Sequence, residues 1–401
     1  MVDWQPAASG SAHRVGRRGV PRSRATEQIA TDRPPERPCS SMIGPWSGTR
    51  GAQVEPGGCI GVDQAMVGPV ALCQDDQVRF VVFGAGAIGG VVGGRLLQHG
   101  HEVGLIARGD HGRAIVASGL KVESPDGSIT LRPTFVVDRP EEVDWHSDDI
   151  VLLAMKSQDT TGALSNLAVC APASVPVACL QNGVNNERIA LRRFPNVYGV
   201  TVICPAGHLE PGTVVAHSSP IAALLDLGRY PAGQDETAAA ISEAFNSSAM
   251  ESVVRSDIMR WKYAKLLMNL TNAVDALCGP EARGGLVGRM VREEGIAVLR
   301  AAGVDFASEE EDRQRRGNLL QIGDVPGHPR VGSSSSQSLA RSTGSIEADY
   351  LNGEIVLLGR LTGVSTPANE RLQRLANQAA HERWPPGRLS EADILERIEA
   401  R

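Results

Sequence analysis

Hydrophobic positions change their spacing partway along the chain. In the first part, short apolar runs that suit buried parallel strands alternate with segments of helical spacing. These runs stand at residues 78–83, 102–107, 149–155, 177–181 and 197–202. From about Asp257 onward, long helical patterns replace them. The spacing predicts an α/β domain over residues 77–255 and an all-helical domain over residues 256–401.

Three stretches of the helical part carry predictions of their own. Residues 257–278 read as one continuous helix that Asp257 caps at its start and that a Gly-Pro pair ends. Residues 309–317 are charged and are predicted to be exposed. The serine run at 331–338 is typical of a flexible linker, although its hydroxyl groups can also bind a carboxylate.

Residues 1–76 differ in kind from the rest of the chain. They are rich in Pro, Gly, Ser and Arg and show no sustained period of a helix or a strand. This composition predicts a disordered N-terminal extension. A translation start placed too far upstream is an alternative, with Met42 and Met66 as internal candidates. We expect deletion of residues 1–65 to leave activity intact.

Charge and composition exclude several classes of function. The net charge is −6, so no basic surface for nucleic acid is expected, and no apolar run has the length of a membrane span. The seven cysteines are odd in number and lack a C-x-x-C pair. They predict free thiols in a reducing cytoplasm and no metal site.

A glycine motif stands between the first apolar run and the first helical segment. It fits G-x-G-x-x-G within a strand–turn–helix–strand unit, which is typical of a Rossmann-type dinucleotide-binding domain. The first glycine permits the turn, the second lets a pyrophosphate approach, and the third lets the helix lie close to the strand. The predicted cofactor-binding residues of this turn are Gly84, Ala85, Gly86, Ala87, Ile88 and Gly89.

The end of the second apolar run indicates which nucleotide binds. Arg108 stands where NAD-selective sites usually place an acid, and a guanidinium can bind a ribose 2′-phosphate. The sequence therefore favours NADP(H). The alternative is a solvated loop arginine, with Asp110 supplying the acid to an NAD-selective site.

Two more polar residues follow buried strands. Lys156 and Asn182 each stand at the carboxyl end of an apolar run, where open α/β sheets bind their ligands. We expect Lys156 to meet the cofactor and Asn182 to contact both cofactor and substrate. A solvated lysine at a helix start and an ordinary Asn-Gly turn remain open alternatives.

The first long helix of the second domain carries a polar stripe. Lys265, Asn269 and Asn272 follow at i, i+4 and i+7, so they share one helical face. Lys262 shares much of that face, and spacing alone does not choose between the two lysines. A polar face against water is the structural alternative.

These separated motifs together resemble the ketopantoate reductase family. The resemblance spans roughly residues 78–380 and adds K-L-L-M-N at 265–269 and E-A-D-Y-L-N-G at 347–353 to the features above. It implies an NADP-binding domain and an all-helical domain with the active site between them. It also implies that Lys265 rather than Lys262 donates a proton and that Glu347 is the active-site glutamate, which holds the cofactor or orients the lysine. The implied substrate-binding residues are Asn182, Asn269, Asn272 and Ser335.

The chain departs from the family pattern near the substrate. The two helix asparagines stand three residues apart instead of four, and no asparagine follows the helix until Asn318. Ile346 replaces the usual threonine before Glu347. The resemblance still implies reduction of 2-dehydropantoate to (R)-pantoate with NADPH, as in coenzyme A biosynthesis. Another small 2-oxo acid as substrate, or a non-catalytic NADP(H) sensor, stays open, as does the oligomeric state, for which a homodimer is a candidate.

Overall fold

The computed structural model describes residues 78–208, 210–330 and 332–400. The predicted extension at residues 1–76 lies outside the described residues. Within the described part, an N-terminal Rossmann-like region is followed by a helical C-terminal region, as the sequence predicts. No helix there is long and apolar enough to cross a membrane.

A mostly parallel sheet of seven strands forms the centre of the first region. Its spatial order is β11-β8-β7-β6-β1-β2-β5, and only β11 runs antiparallel to its neighbour. Val and Ile side chains fill both faces of the central strands, which explains why their sequences are apolar without alternation. The strands are β1 (Arg79–Phe83), β2 (Glu102–Ile106), β5 (Phe135–Val137), β6 (Asp149–Leu153), β7 (Val177–Cys179), β8 (Val197–Val200) and β11 (Leu227–Arg229).

A second, smaller sheet packs against the first helix. Its order is β4-β3-β10-β9, in which β10 is parallel to β3 and the other pairs are antiparallel. Residues 129–137 are one stretch rich in β-forming residues, which the sequence alone would suggest as a single strand, but they divide between two sheets. The strands are β3 (Leu120–Ser124), β4 (Gly127–Leu131), β9 (Ala206–Gly207) and β10 (Thr213–Ala216).

Helices flank the large sheet and then form the second region by themselves. Those of the first region are α1 (Ala87–Gln98), α2 (Gly109–Ser118), α3 (Thr160–Cys170), α4 (Asn186–Leu191) and α5 (Glu236–Asn246). Those of the second are α6 (Ile258–Asn269), α7 (Asn272–Cys278), α8 (Leu286–Ala301), α9 (Glu309–Arg316), α10 (Ser334–Ala340), α11 (Asn352–Thr362), α12 (Pro367–His381) and α13 (Glu391–Glu399). A separate apolar core holds this second region together.

The predicted helix over 257–278 is wrong in two details. It breaks at Leu270 and Thr271, so that α6 and α7 are separate helices. Asp257 precedes α6, but its side chain makes no capping hydrogen bond, because its backbone (φ −116°, ψ 33°) is not in the extended conformation of a cap.

The serine run is an ordered helix and not the flexible linker that its composition predicts. It forms the helix α10, with Ser333 as the N-cap accepting a hydrogen bond from Ser336 N. The carboxylate of Asp275 on α7 accepts from Ser333 N and Ser336 Oγ and holds this helix start in place. A buried acid that is remote in sequence thus overrides the preference of serine for irregular structure.

Residues 317–330, here called the crossing segment, run from the helical region back to the first region. Ile322 bridges to Ser218, and Gly323 N donates to His217 O at 3.0 Å. Just before this segment, at the end of α9, Arg315 donates to both carboxylate oxygens of Asp226, and its side chain is only 13% exposed. The predicted exposure of the charged stretch 309–317 is therefore wrong for Arg315, because Asp226 pairs with it.

Candidate active site

Four predicted site segments meet at one edge of the large sheet. The neighbouring strands β7, β6, β1 and β2 run parallel, so their carboxyl ends are adjacent. Asn182, Lys156, the glycine turn and Arg108 follow these strands in that spatial order. All four segments line one cavity of about 1240 Å³.

The glycine turn has the geometry that its sequence predicts. Gly84 has a φ of +102°, and a Cβ there would lie 2.8 Å from Met155 N. A Cβ on Gly89 would lie 2.1 Å from Gly84 O, so this glycine allows α1 to lie against the strand. A Cβ on Gly86 would meet no atom within 4 Å. Gly86 therefore faces open space in front of the first amides of α1, which no side chain caps, and this space fits a pyrophosphate.

A histidine that the sequence did not single out supports this turn. Gly212 N donates to Nδ1 of His111 at 2.9 Å, so the proton lies on Nε2, which contacts Ala85 O at 2.7 Å. Burial first, and then the ring of His208, lower the pKa of His111 to about 4. At neutral pH the imidazole is therefore uncharged, and it links Ala85 in the glycine turn to Gly212, which directly precedes β10 of the second sheet.

Arg108 and Asp110 differ in their relation to the cavity. Arg108 is exposed, lines the cavity and makes no ion pair with the described residues. Asp110 forms an ion pair with Arg113 and does not line the cavity. This arrangement leaves Arg108, and not the acid, available to a ribose.

Lys156 and Glu347 lie close to one another at the end of β6. Glu347 Oε1 accepts from Ser157 N at 3.1 Å and from Ser157 Oγ at 3.2 Å, and Lys156 Nζ donates to Ser338 Oγ on α10. Burial lowers the pKa of Lys156, while the charge of Glu347 raises it and that of Arg341 lowers it. Glu347 thus joins the helical region to the strand end that carries Lys156.

A pair of asparagine side chains connects the two regions across the cavity. Asn269 Nδ2 on α6 donates to Asn182 Oδ1 at 3.0 Å. The backbone oxygen of Asn182 accepts from Asn186 Nδ2 and Ser157 Oγ. The Asn182 amide NH₂ and the Asn269 carbonyl oxygen remain available to a ligand in the cavity.

The two lysines of α6 lie in different surroundings. Lys262 is 3% exposed, and its Nζ contacts Gln181 O at 2.9 Å, Val200 O at 3.0 Å and Glu187 Oε1 at 2.7 Å. Lys265 is half-buried and lines the cavity with Asn269 and Asn272. The geometry thus separates an anchoring lysine from one that faces the ligand space, a choice that spacing alone left open.

The ammonium group of Lys265 is held in a partly positive environment. Its pKa is lowered from 10.5 to about 8, first by burial and then by the charge of Arg316. Arg283 acts in the same direction and Asp312 in the opposite one. A lysine with a pKa near 8 is protonated at neutral pH and gives up its proton more readily than an ordinary lysine.

Comparison with known proteins assigns this architecture to a family. A family model described as "Ketopantoate reductase PanE/ApbA" matches residues 80–228, and its C-terminal counterpart matches residues 257–380. A PanE/ApbA family ketopantoate reductase from Ralstonia eutropha JMP134, solved as a crystal structure, is 30% identical with a TM-score of 0.64; the match covers 76% of this chain and 99% of that one.

The chain belongs to the ketopantoate reductase family. The 2-dehydropantoate 2-reductase of Pyrococcus horikoshii is 28% identical over 312 residues, which cover 73% of this chain and 94% of the relative. A D-mandelate dehydrogenase solved with NADH and anilino(oxo)acetate shares the fold, with a TM-score of 0.64 at 22% identity over 76% of this chain and 99% of that one. This ketopantoate reductase family member is accordingly an oxidoreductase of the class that acts on CH–OH groups, and the family binds a nicotinamide dinucleotide.

One residue that the resemblance placed at the substrate lies elsewhere. Ser335 is 3% exposed and does not line the cavity of this ketopantoate reductase family member, whereas Ser333 and Ser334 do. The reason is the helix α10, in which successive side chains point to different faces. Within this serine run, the structure brings Ser333 and Ser334, but not Ser335, to the ligand space.

Four arginines of the helical region also line the cavity and were missed as site residues. They are Arg283, Arg316, Arg330 and Arg341. Arg283 lies in the short 3₁₀ segment after α7, where the family pattern led us to look for an asparagine. Their sequence context resembles that of solvated surface arginines, so no pattern in one sequence would have found them.

Proposed function

We propose that this chain catalyses the NADPH-dependent reduction of 2-oxo acids, 2-dehydropantoate among them, to the corresponding (R)-2-hydroxy acids. One observation carries the proposal: the half-buried Lys265 and residues Gly84 to Ile88 of the glycine turn line the same cavity from two different regions, while Gly89 is buried behind them. A hydride donor bound at the turn and a proton donor on α6 are the two groups that such a reduction needs.

The preference for NADPH over NADH rests on Arg108. Its exposed guanidinium is free of ion pairs with the described residues, while Asp110 is engaged by Arg113. A planar guanidinium suits the two oxygens of a 2′-phosphate, and a site without a free acid offers less to a ribose 2′-OH. Lys156 and the amide of Asn182 are then placed to meet the nicotinamide end.

The residues of the helical region supply proton and orientation. NADPH, when bound, supplies the hydride. Lys265 stabilises negative charge on the oxo oxygen and then delivers its proton there, as its pKa of about 8 permits near neutral pH. Asn269 and Asn272 orient the substrate, and the hydroxyl of Ser334 receives its carboxylate. Glu347 fixes Ser157 and, through its charge, Lys156.

The test is NADPH oxidation by the purified full chain, followed by absorbance, with a panel of 2-oxo acids that includes 2-dehydropantoate. Lys265→Ala is expected to lower kcat about 100-fold or more while NADPH affinity is preserved. Lys121→Ala, which removes a surface ammonium from β3, is the matched control and is expected to retain full turnover. Near-normal turnover of Lys265→Ala rejects the assignment, and an absence of turnover with every 2-oxo acid rejects the function.

Two further proposals concern the division of the chain into regions and its location in the cell. We infer that the boundary between the nucleotide-binding and helical regions lies near residue 256, which the two family matches at 80–228 and 257–380 support. Cytoplasmic location is proposed on the free cysteines of the described residues, which are Cys170, Cys179, Cys204 and Cys278.

A further inference from the structure

Positive charge gathers at the end of the cavity that the helical region builds. Lys265, Arg283 and Arg316 line it and come from α6, a 3₁₀ segment and α9, while Arg330 of the crossing segment lines the same cavity near His217. The charges of Arg316 and Arg283 are close enough to act on Lys265. Separate elements therefore bring several cations to one side of a single space.

Carboxylates of the described residues compensate this charge only in part. Arg316 Nε lies 2.8 Å from Asp312 Oδ2, so this arginine has an acidic partner. Arg283 donates to the amide oxygen Asn272 Oδ1 at 3.4 Å and has no ion pair within the described ranges. Arg330 is exposed and likewise forms no ion pair with the residues that the structure describes. At least two guanidinium groups are thus left for a ligand.

The proposed reaction does not require these groups. A 2-oxo acid has one carboxylate, for which the hydroxyl of Ser334 is available, and its oxo oxygen needs only the ammonium of Lys265. Clustered like charges repel one another and raise the free energy of the empty site unless an anion binds there. A guanidinium that holds no acidic partner and lines a concave pocket is a typical carboxylate-binding group.

We propose that Arg283, assisted by Arg316, binds a second anionic group of the substrate. The chain then reduces 2-oxo acids that carry a distal carboxylate more efficiently than neutral 2-oxo acids of the same length. This inference rests on the proposed reductase function and narrows its substrate class. Arg283 is the specificity-determining residue, because it lines the cavity next to Asn272 and Lys265 and has no carboxylate partner in the described chain.

The experiment compares pairs of substrates that differ only in the distal charge. We would measure kcat/KM with saturating NADPH for 2-oxoglutarate against 2-oxopentanoate, and for 2-oxoadipate against 2-oxohexanoate. The assays are run near pH ~6.5, below the pKa of Lys265, so that loss of a neighbouring charge does not alter its protonation. The wild-type chain is expected to prefer the dicarboxylate by about tenfold or more in at least one pair.

Variants of Arg283 then test the residue itself. Arg283→Gln is expected to lower kcat/KM for the dicarboxylate about tenfold while that for the matched monocarboxylate changes less than about twofold. Arg283→Lys, which keeps the charge but not the planar fork, is expected to retain part of the preference. Arg300→Gln on the exposed side of α8 is the control for loss of one positive charge and is expected to behave as wild type.

Three outcomes would overturn the inference. They are a wild-type preference for the monocarboxylate, an equal loss of both substrates in Arg283→Gln, and weaker NADPH binding in that variant with unchanged discrimination. The equal loss would mean that Arg283 binds the carboxylate beside the oxo group, or supports the fold, which thermal unfolding of the variant would reveal. If neither kind of 2-oxo acid oxidises NADPH in the wild-type chain, the proposed function itself fails.

Discussion

The two ends of the cavity are built by different means. At the end formed by the large sheet, the cavity is lined mostly by backbone groups that follow adjacent strand ends. These are the Gly84–Gly89 turn, the first amides of α1 and the loop that carries Arg108. At the helical end, single side chains from remote elements converge: Lys265, Asn269, Arg283 and Arg316. The first end is contiguous in sequence over a short unit, and the second is assembled only by tertiary packing.

This difference determines which substitutions should affect only ligand binding and which should also affect the stability of the fold. The nucleotide end has an exposed arginine and an open glycine, both of which can change without disturbing a packed core. The helical end depends on α6, which the buried pair of Lys262 and Glu187 fastens to the sheet. Substitutions of Arg108 and Gly86 should therefore affect ligand binding alone, whereas substitution of Lys262 should affect folding as well.

Loss of the anchor should give the largest effect. Lys262→Met leaves Glu187, which is 0% exposed, as a buried carboxylate without its ammonium, and it also removes the donor to two backbone oxygens. We expect the free energy of unfolding to fall by about 3–5 kcal/mol in denaturant titrations. Lys265→Met, three residues along the same helix, is the control and should cost less than about 1 kcal/mol. Equal stability of the two variants would contradict the assignment of Lys262, and not Lys265, as the lysine that anchors α6.

The next effect concerns nucleotide choice at the sheet end. Arg108→Gln should weaken NADPH binding about 10- to 100-fold, since hydrogen bonds to a charged phosphate contribute about 1.5–3 kcal/mol. NADH affinity and thermal stability should change little, because the side chain is exposed. Arg132→Gln, which changes an exposed arginine of the same region that does not line the cavity, is the matched control. Fluorescence titration measures both affinities, and an unaltered NADPH affinity in Arg108→Gln would contradict the assignment.

A smaller loss is expected at the glycine turn. Gly86→Ala adds a methyl group to space where no protein atom lies within 4 Å, so folding should be preserved. The same methyl should crowd the pyrophosphate and raise the dissociation constant of NADPH about tenfold, which is about 1.4 kcal/mol. Calorimetric titration together with thermal unfolding separates the two effects. An unfolded variant would show that this end is as tightly packed as the other.

The smallest expected effect is a shift in the pH dependence of kcat/KM, caused by charges near Lys265 at the helical end. Lys265 must be protonated to donate, so kcat/KM should be flat below its pKa of about 8 and should fall tenfold per pH unit above it. Arg283→Gln removes a neighbouring positive charge and should move this alkaline limb to higher pH. Asp312→Asn removes a negative charge and should move it to lower pH. Shifts of less than about one unit are expected for such partly solvated neighbours, and shifts of equal sign would exclude Lys265 as the group observed.

Much of the sheet end could be predicted from sequence because its rules are local. A glycine motif after an apolar run fixes both the turn and the helix that follows it, and parallel strands bring Arg108, Lys156 and Asn182 to one edge. Strand bounds agree closely for β1, β2 and β6. The division of residues 129–137 between two sheets was missed, since propensity does not report which sheet a strand joins.

The helical end was harder to predict because its determinants are long-range. The serine run forms a helix only because Asp275, 58 residues before Ser333, accepts from its first turn. That helix in turn decides that Ser334 rather than Ser335 lines the cavity. Likewise, the partners of Lys262 are backbone oxygens on β-strand ends more than 60 residues away, which no helical spacing reveals. The proton-donor assignment came from family resemblance and not from periodicity.

The placement of Lys262 and Lys265 on one helix has a consequence for how this site can be altered. The ion pair that keeps α6 from rotating also fixes the direction in which position 265 points, because three residues along a helix leave little freedom between them. Selection that preserves folding would thereby keep the amine of Lys265 directed toward the cavity. For protein engineering, position 265 is a preorganised platform on which other functional groups can be installed without rebuilding its support.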